Sequence, residues 1–102
     1  MGIDVRHETE RGEVTACISD PRMLLPRLLA NANLKCSICV RFIDPYGDAV
    51  FNQAQLPALA QELRGMLKVA ADGEAREHLE AVIQLVEAAK GRVHTYVRFV
   101  GD

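Results

Sequence analysis

Apolar positions recur along this chain with two periods, and the changes between them mark out its elements. Near the start, Ile3, Val5 and His7 alternate with Asp4, Arg6 and Glu8. Alternation of this kind is the mark of a half-buried strand. Glu10-Arg11-Gly12 supplies a turn, and Val14, Ala16 and Ile18 alternate with Glu13, Thr15 and Cys17. The two runs predict an N-terminal β-hairpin.

The longest alternation lies at 34 to 43. Leu34, Cys36, Ile38, Val40 and Phe42 fall on one face, with Lys35, Ser37, Cys39, Arg41 and Ile43 on the other. This predicts a central strand with its even positions on the core. Asp44-Pro45-Tyr46-Gly47 then makes a turn, because Asp bonds back to the backbone, Pro presets φ and Gly closes the bend. The tetrad Val40-Arg41-Phe42-Ile43 is echoed by Val97-Arg98-Phe99-Val100 near the C-terminus. There Val93, Thr95, Val97 and Phe99 alternate with His94, Tyr96, Arg98 and Val100, which predicts a second strand over 93 to 100 beside the first.

Between these strands the period lengthens to that of a helix. Leu56, Leu59, Ala60, Leu63, Met66, Leu67 and Ala70 form one stripe, and Leu79, Val82, Ile83, Val86 and Ala89 form another. Asn52 and Gln55 have the spacing of a capping box before the first helix, and Pro57 is the alternative mark of its first full turn. Asp72-Gly73 separates the two, with Asp72 as a cap for the second, and Lys90-Gly91 suits its C-terminal end. So short a linker predicts an antiparallel helical hairpin. Earlier, Asp20-Pro21 reads as an N-cap followed by Pro at the first helical position. Met23, Leu24, Leu25, Leu28 and Leu29 follow, interrupted by Pro26, which predicts a short or broken helix ending at Asn31-Ala32-Asn33. A piece this apolar has to be buried in the core, against the sheet's second face or on a partner. The sum is an α+β domain: a four-stranded, mainly antiparallel sheet with the helical hairpin on one face, in the order β-β-(short α)-β-α-α-β.

Composition narrows the function classes. At 102 residues the chain predicts a single domain covering 1–102. A net charge of −2 argues against a general nucleic-acid binder. No apolar run approaches the roughly 20 residues of a membrane span, and the charged start carries no signal-peptide core. Three cysteines, an odd number without a leader, fit a reducing cytosol better than a disulfide framework.

Candidate chemistry is sparse. Cys36-Ser37-Ile38-Cys39 matches C-x-x-C, but strand residues three apart point to opposite faces, so the pair is not expected to share a metal or a disulfide. Cys36 is expected in the core. Asp44 and Asp48 flank the turn and are explained by turn chemistry more simply than by acid–base work. Tyr46 at its tip is left over as a contact residue. His7, His78 and His94 share no metal spacing, and no phosphate loop, dinucleotide fingerprint or nucleophile elbow is present. Glu77, Glu80, Gln84 and Glu87 read as a solvated helix face.

The second sheet face is the feature with functional content. Lys35, Cys39, Arg41, Ile43, His94, Tyr96, Arg98 and Val100 are predicted to share it. Arg and Tyr among small apolar residues resemble an interface core with a polar rim. The face is solvated, covered by 22–30, or a binding surface. The expected function is a non-enzymatic protein-interaction module, of the inhibitor, adaptor or immunity-partner kind. Its expected contact residues are Arg41, Arg98, Tyr96, His94, Tyr46 and Lys35, and it needs no cofactor or metal. The alternatives are a small-molecule or enzymatic site for an anionic ligand on the Arg41/Arg98/His94 face, and a homodimer built through that face.

Overall fold

The computed structural model describes residues 2–70 and 73–101. It places β1 at Asp4–Thr9, β2 at Val14–Ile18, α1 at Leu24–Asn31, β3 at Asp48–Phe51, α2 at Leu56–Leu67, α3 at Gly73–Lys90 and β4 at Thr95–Val100. The four strands form one antiparallel sheet in the order β2-β1-β4-β3. The predicted two-layer α+β architecture is what the chain adopts.

The N-terminal hairpin forms as the alternation requires. Gly12, with φ of 84°, makes the turn that carries the chain from β1 to β2. Val5 and His7 face inward from β1, and Thr95, Val97 and Phe99 face inward from β4. The α2 stripe of Leu56, Leu59, Ala60, Leu63 and Met66 is buried, as is the α3 stripe of Leu79, Val82, Ile83, Val86 and Ala89. The capping box closes in both directions: the Asn52 N–H donates to Gln55 Oε1 at 2.9 Å, and the Gln55 N–H donates to Asn52 Oδ1 at 3.2 Å. Asp72, predicted to cap α3, lies outside the described residues. Glu87 is not on a solvated line, since it pairs with Arg64 of α2 and with Lys90.

The predicted strand over 34–43 does not form. The chain makes a turn at 34–37 and then a single 3-10 turn, Val40–Phe42. Local side chains compete successfully for its backbone. Ser37 Oγ accepts from the Arg41 N–H at 3.0 Å, Asn33 Oδ1 accepts from the Lys35 N–H at 3.2 Å, and Glu62 of α2 takes three further N–H groups. The inward residues are Cys39, Val40 and Ile43, whereas Cys36, Ile38 and Phe42 are exposed. The third strand is the short β3, and its Phe51 meets Phe99 edge to face at 5.7 Å. The tetrad echo is therefore not a structural one. Val93, predicted inside β4, is exposed before it begins.

The segment 22–30 packs on the helical side, with Leu24, Leu25 and Leu29 in the core and α1 against α3. It does not cover the second sheet face. Pro26 does not break α1, because as its third residue it needs no N–H bond. Pro21 precedes the helix, and Met23, with φ of 56°, stands at its N-cap. Capping still comes from Asp20, which is buried. Its carboxylate accepts from Leu24 N–H at 2.7 Å, Leu25 N–H at 3.0 Å and Ile3 N–H at 3.1 Å. One side chain thus joins the chain start to α1.

Two stability predictions follow from buried polar groups. Asp20→Ala strands three N–H donors and is expected to cost about 3 kcal/mol. A loss below about 1 kcal/mol in urea denaturation would show that the carboxylate is not the joint. His7 is buried with Nε2 unpartnered, and desolvation, assisted by Arg92, holds its pKa below the usual 6.5. As pH falls below 6.5 the unfolded chain takes up this proton before the folded one does. Stability contributed by neutral His7 is then lost down to the folded pKa, at up to about 1.4 kcal/mol per pH unit. His7→Leu is expected to flatten that fall between pH 7.5 and 5. Parallel stability curves for the two proteins would refute the assignment.

Candidate functional site: the open face of the sheet

Strand register defines the uncovered face. Opposite the core-facing residues, β1 presents Asp4, Arg6 and Glu8, and β4 presents Tyr96, Arg98 and Val100. The edge strands add Cys17 and Val14 from β2, and Asp48 and Val50 from β3. Pairing sets these side chains in three rows across the strands. The middle row is Cys17, Arg6, Arg98 and Val50; one flanking row is Val14, Glu8 and Tyr96; the other is Asp4, Val100 and Asp48.

Arg6 and Arg98 stand directly opposite one another, a placement that repels unless it is neutralised. Arg98 Nε donates to Glu8 Oε1 at 3.1 Å, and its Nη1 donates to Asp48 Oδ2 at 3.1 Å. The Glu8 hydrogen bond first, and then Asp48, hold the guanidinium more firmly protonated, against a smaller cost of burial. Glu8 is only 7% exposed, although it lies on the face away from the core. Arg6 has no ion-pair partner among the described residues. Around this network Val14, Val50 and Tyr96 are 50%, 45% and 37% exposed.

The predicted contact residues divide. Tyr96 and Arg98 lie on this face together. His94 is one residue short of β4, in a left-handed conformation (φ 58°), with its Nδ1 3.4 Å from Glu10 Oε2. Tyr46 is exposed at the tip of the 44–47 turn, where its N–H donates to Asp44 Oδ1 at 2.8 Å. The Gly101 N–H donates to the Gly47 carbonyl at 2.8 Å, which seats that turn at the end of β4. Lys35 and Arg41 belong to the 34–43 loop and are not on the sheet. The Arg41 guanidinium instead lies 5.0 Å from the centre of the Phe42 ring. The predicted Arg41/Arg98/His94 grouping is therefore not assembled, and Cys39 and Ile43 are buried rather than placed on the second face. Sequence reasoning missed Arg6, Glu8, Asp48 and Val50. The alternation of Asp4, Arg6 and Glu8 was the available signal, once β1 is known to pair with β4.

The arrangement is suited to contact. Arg98 is already held by two carboxylates, so an anion arriving there competes with both for its charge. Scanned against protein-family models, curated proteins and solved structures, the chain matches none of them. No described helix is long and apolar enough to cross a membrane. Among the described residues, no three His, Cys, Asp or Glu side chains are grouped so as to hold a metal.

The C-x-x-C pair separates by environment. Cys36 is exposed, whereas Cys39 is buried with its Sγ 3.8 Å from the Gln55 carbonyl. Burial first, and then the Glu62 carboxylate, push the Cys39 thiol pKa up, away from the reactive thiolate. A maleimide is expected to label Cys17 and Cys36 rapidly in the native protein and Cys39 only after unfolding. Rapid labelling of all three would show that the 34–43 loop opens readily.

Proposed function

We propose that the chain is a protein-interaction module whose partner docks on the open face of the sheet. The observation that carries this reading is the uncovered face itself: Tyr96 and Val50 flank an Arg98 already fixed by Glu8 and Asp48, and exposed Val14 lies beyond Glu8 on the edge strand. An aromatic with apolar neighbours about a pre-ordered Arg is the composition of a contact core. The charges are set before binding, so little side-chain entropy is lost on docking. Arg6 offers the partner an unneutralised cation.

The size of the face limits the partner. Four strands of up to six residues span about 19 Å by 20 Å, a footprint smaller than the ~800 Å² per side of a standard stable interface. A partner that binds tightly also reaches beyond the strands, and exposed Tyr46 at the sheet corner lies in that direction. The free, exposed thiols of Cys17 and Cys36 suit a reducing compartment such as the cytosol.

Light scattering after size exclusion, followed by pull-down from native lysate, tests the proposal. Tyr96→Asp and Arg6→Glu are the informative variants, because neither removes a member of the Arg98 ion-pair network. Wild type is expected to retain a partner saturably, and each variant to retain at least tenfold less at unchanged melting temperature. A dimeric wild type converted to monomer by either variant would assign the face to a second copy. Retention unaffected by both variants, or no partner and no dimer, would overturn the reading.

A further inference from the structure

A strand over 34–43 is what would set Cys36 and Cys39 on opposite faces, and that strand does not form. In a strand, Cα atoms three residues apart lie about 10 Å from one another. Across a turn they come within ~7 Å, the span that a disulfide bridges. Here the Ser37 N–H donates to the Leu34 carbonyl at 3.1 Å, which closes a turn over 34–37. The chain bends again at Ile38 and Cys39. The backbone that links the two thiols is folded, not extended.

The thiols differ as an attacking and a resolving cysteine differ. Cys36 is exposed on the wall of a cleft of about 330 Å³, which Ser37, Val40 and Glu62 also line. Cys39 is 2% exposed, and burial first, then the Glu62 carboxylate, keep it a thiol. The attacking sulfur is therefore that of Cys36.

Cys39 is held inward by hydrogen bonds to α2 and the turn before it. Its N–H and those of Ile38 and Val40 all donate to Glu62, and its Sγ lies 3.8 Å from the Gln55 carbonyl. One carboxylate thus governs whether Cys39 stays in the core or turns toward Cys36. Val40, its neighbour, lines the same cleft as Cys36, so there is open space on that side for the turn.

We propose that Cys36 and Cys39 form a reversible disulfide, a redox switch that releases the 34–43 loop from α2. The oxidant is a low-molecular-weight disulfide such as glutathione disulfide. Cys36 gives its proton to solvent, and its thiolate attacks one sulfur of the oxidant. That S–S bond breaks, and one glutathione leaves as a thiolate that takes up a proton. When the loop leaves Glu62, Cys39 gives its proton to solvent and its sulfur attacks the sulfur of Cys36. The mixed S–S bond breaks, and the second glutathione leaves in the same way. The protein gives up two hydrogens with their electrons, and glutathione disulfide is reduced to two glutathione molecules. Ring closure withdraws Cys39 from the core and breaks the bonds to Glu62, so exposed Arg41 and Phe42 move with the loop. Transient, sensing disulfides are the kind found in a reducing compartment. The pair shares no residue with the open sheet face, so it stands or falls separately from the function proposed above.

The test uses the full chain with Cys17→Ser, so that only this pair reacts, in mixtures of glutathione and glutathione disulfide at neutral pH. Intact mass and amide NMR spectra are read together. The expected product is monomeric, lighter by two hydrogens and free of glutathione. Its Ile38, Cys39 and Val40 amides are shifted, and dithiothreitol restores them. Adding Cys39→Ala is expected to stop the reaction at one glutathione adduct on Cys36. Adding Cys36→Ala instead is expected to leave the folded chain unmodified. Glu62→Gln is expected to close the ring about tenfold faster, because a neutral acceptor holds the three N–H groups less firmly. A lasting glutathione adduct without ring closure, closure only in denaturant, or closure that leaves those three amides unshifted would overturn the proposal. Equal closure rates with Glu62 and with Gln at that position would overturn it as well, since the carboxylate would then not be the latch.

Discussion

The carboxylate of Glu62 decides what the middle of this chain becomes. It accepts three consecutive N–H groups, from Ile38 at 2.7 Å, Cys39 at 3.0 Å and Val40 at 2.9 Å. Burial works against its ionisation, but those three donors and nearby Arg41 outweigh it and hold its pKa below the usual carboxylate value. Donors bonded to α2 are not available to a sheet ladder. The segment therefore turns, buries Cys39, Val40 and Ile43, and leaves sheet formation to Asp48–Phe51. The cleft beside α2 has its boundary from the same bonds, since Ser37 and Val40 line it together with Glu62.

With the third strand so short, the sheet depends on its central pair. β1 and β4 pair over six residues, and each also pairs with one edge strand. Their inner face carries Val5, Val97 and Phe99, all fully buried. Their outer face has to hold Arg6 against Arg98. Glu8 and Asp48 make that tolerable by pinning Arg98 from the two flanking rows. Exposed ion pairs usually contribute about 0–1 kcal/mol, but Glu8 is nearly buried, so its carboxylate depends on Arg98 as a partner. The same network is thus both a structural requirement and the centre of the proposed contact surface.

Much of the fold was legible because helices repeat their signal. α2 and α3 each carry five or more core residues at helical spacing, and the Asn52/Gln55 bonds form in the turn just before α2, which begins at Leu56 with Pro57 in its first turn. β3 offers only Ala49 and Phe51 as inward residues, too few to register as alternation. The run at 34–43 offered five, yet Cys39, Val40 and Ile43 also fit helical spacing, and Asn33 and Ser37 are residues that divert the backbone locally. Alternation is necessary for a half-buried strand but does not establish one. The candidate site suffered from the same error. Tyr96 and Arg98 were legible because β4 is a strand; Arg6 and Glu8 were not, because nothing local says that β1 lies beside β4. Glu62 was illegible as an anchor, since its partners are some 22 to 24 residues away in the chain.

The open face of the sheet lies on the layer opposite the helices. It is built from β1 to β4, while the clefts beside α2 are walled by α1, α2, the loop after α1 and Ala75 of α3. Between them lies a continuous core in which α3 contacts β1, β2 and β4 on one side and α1 and α2 on the other. Close-packed side chains of this kind resist gradual deformation. A ligand on the open face therefore meets a core that resists reshaping, so docking there is expected to leave the helical layer in place.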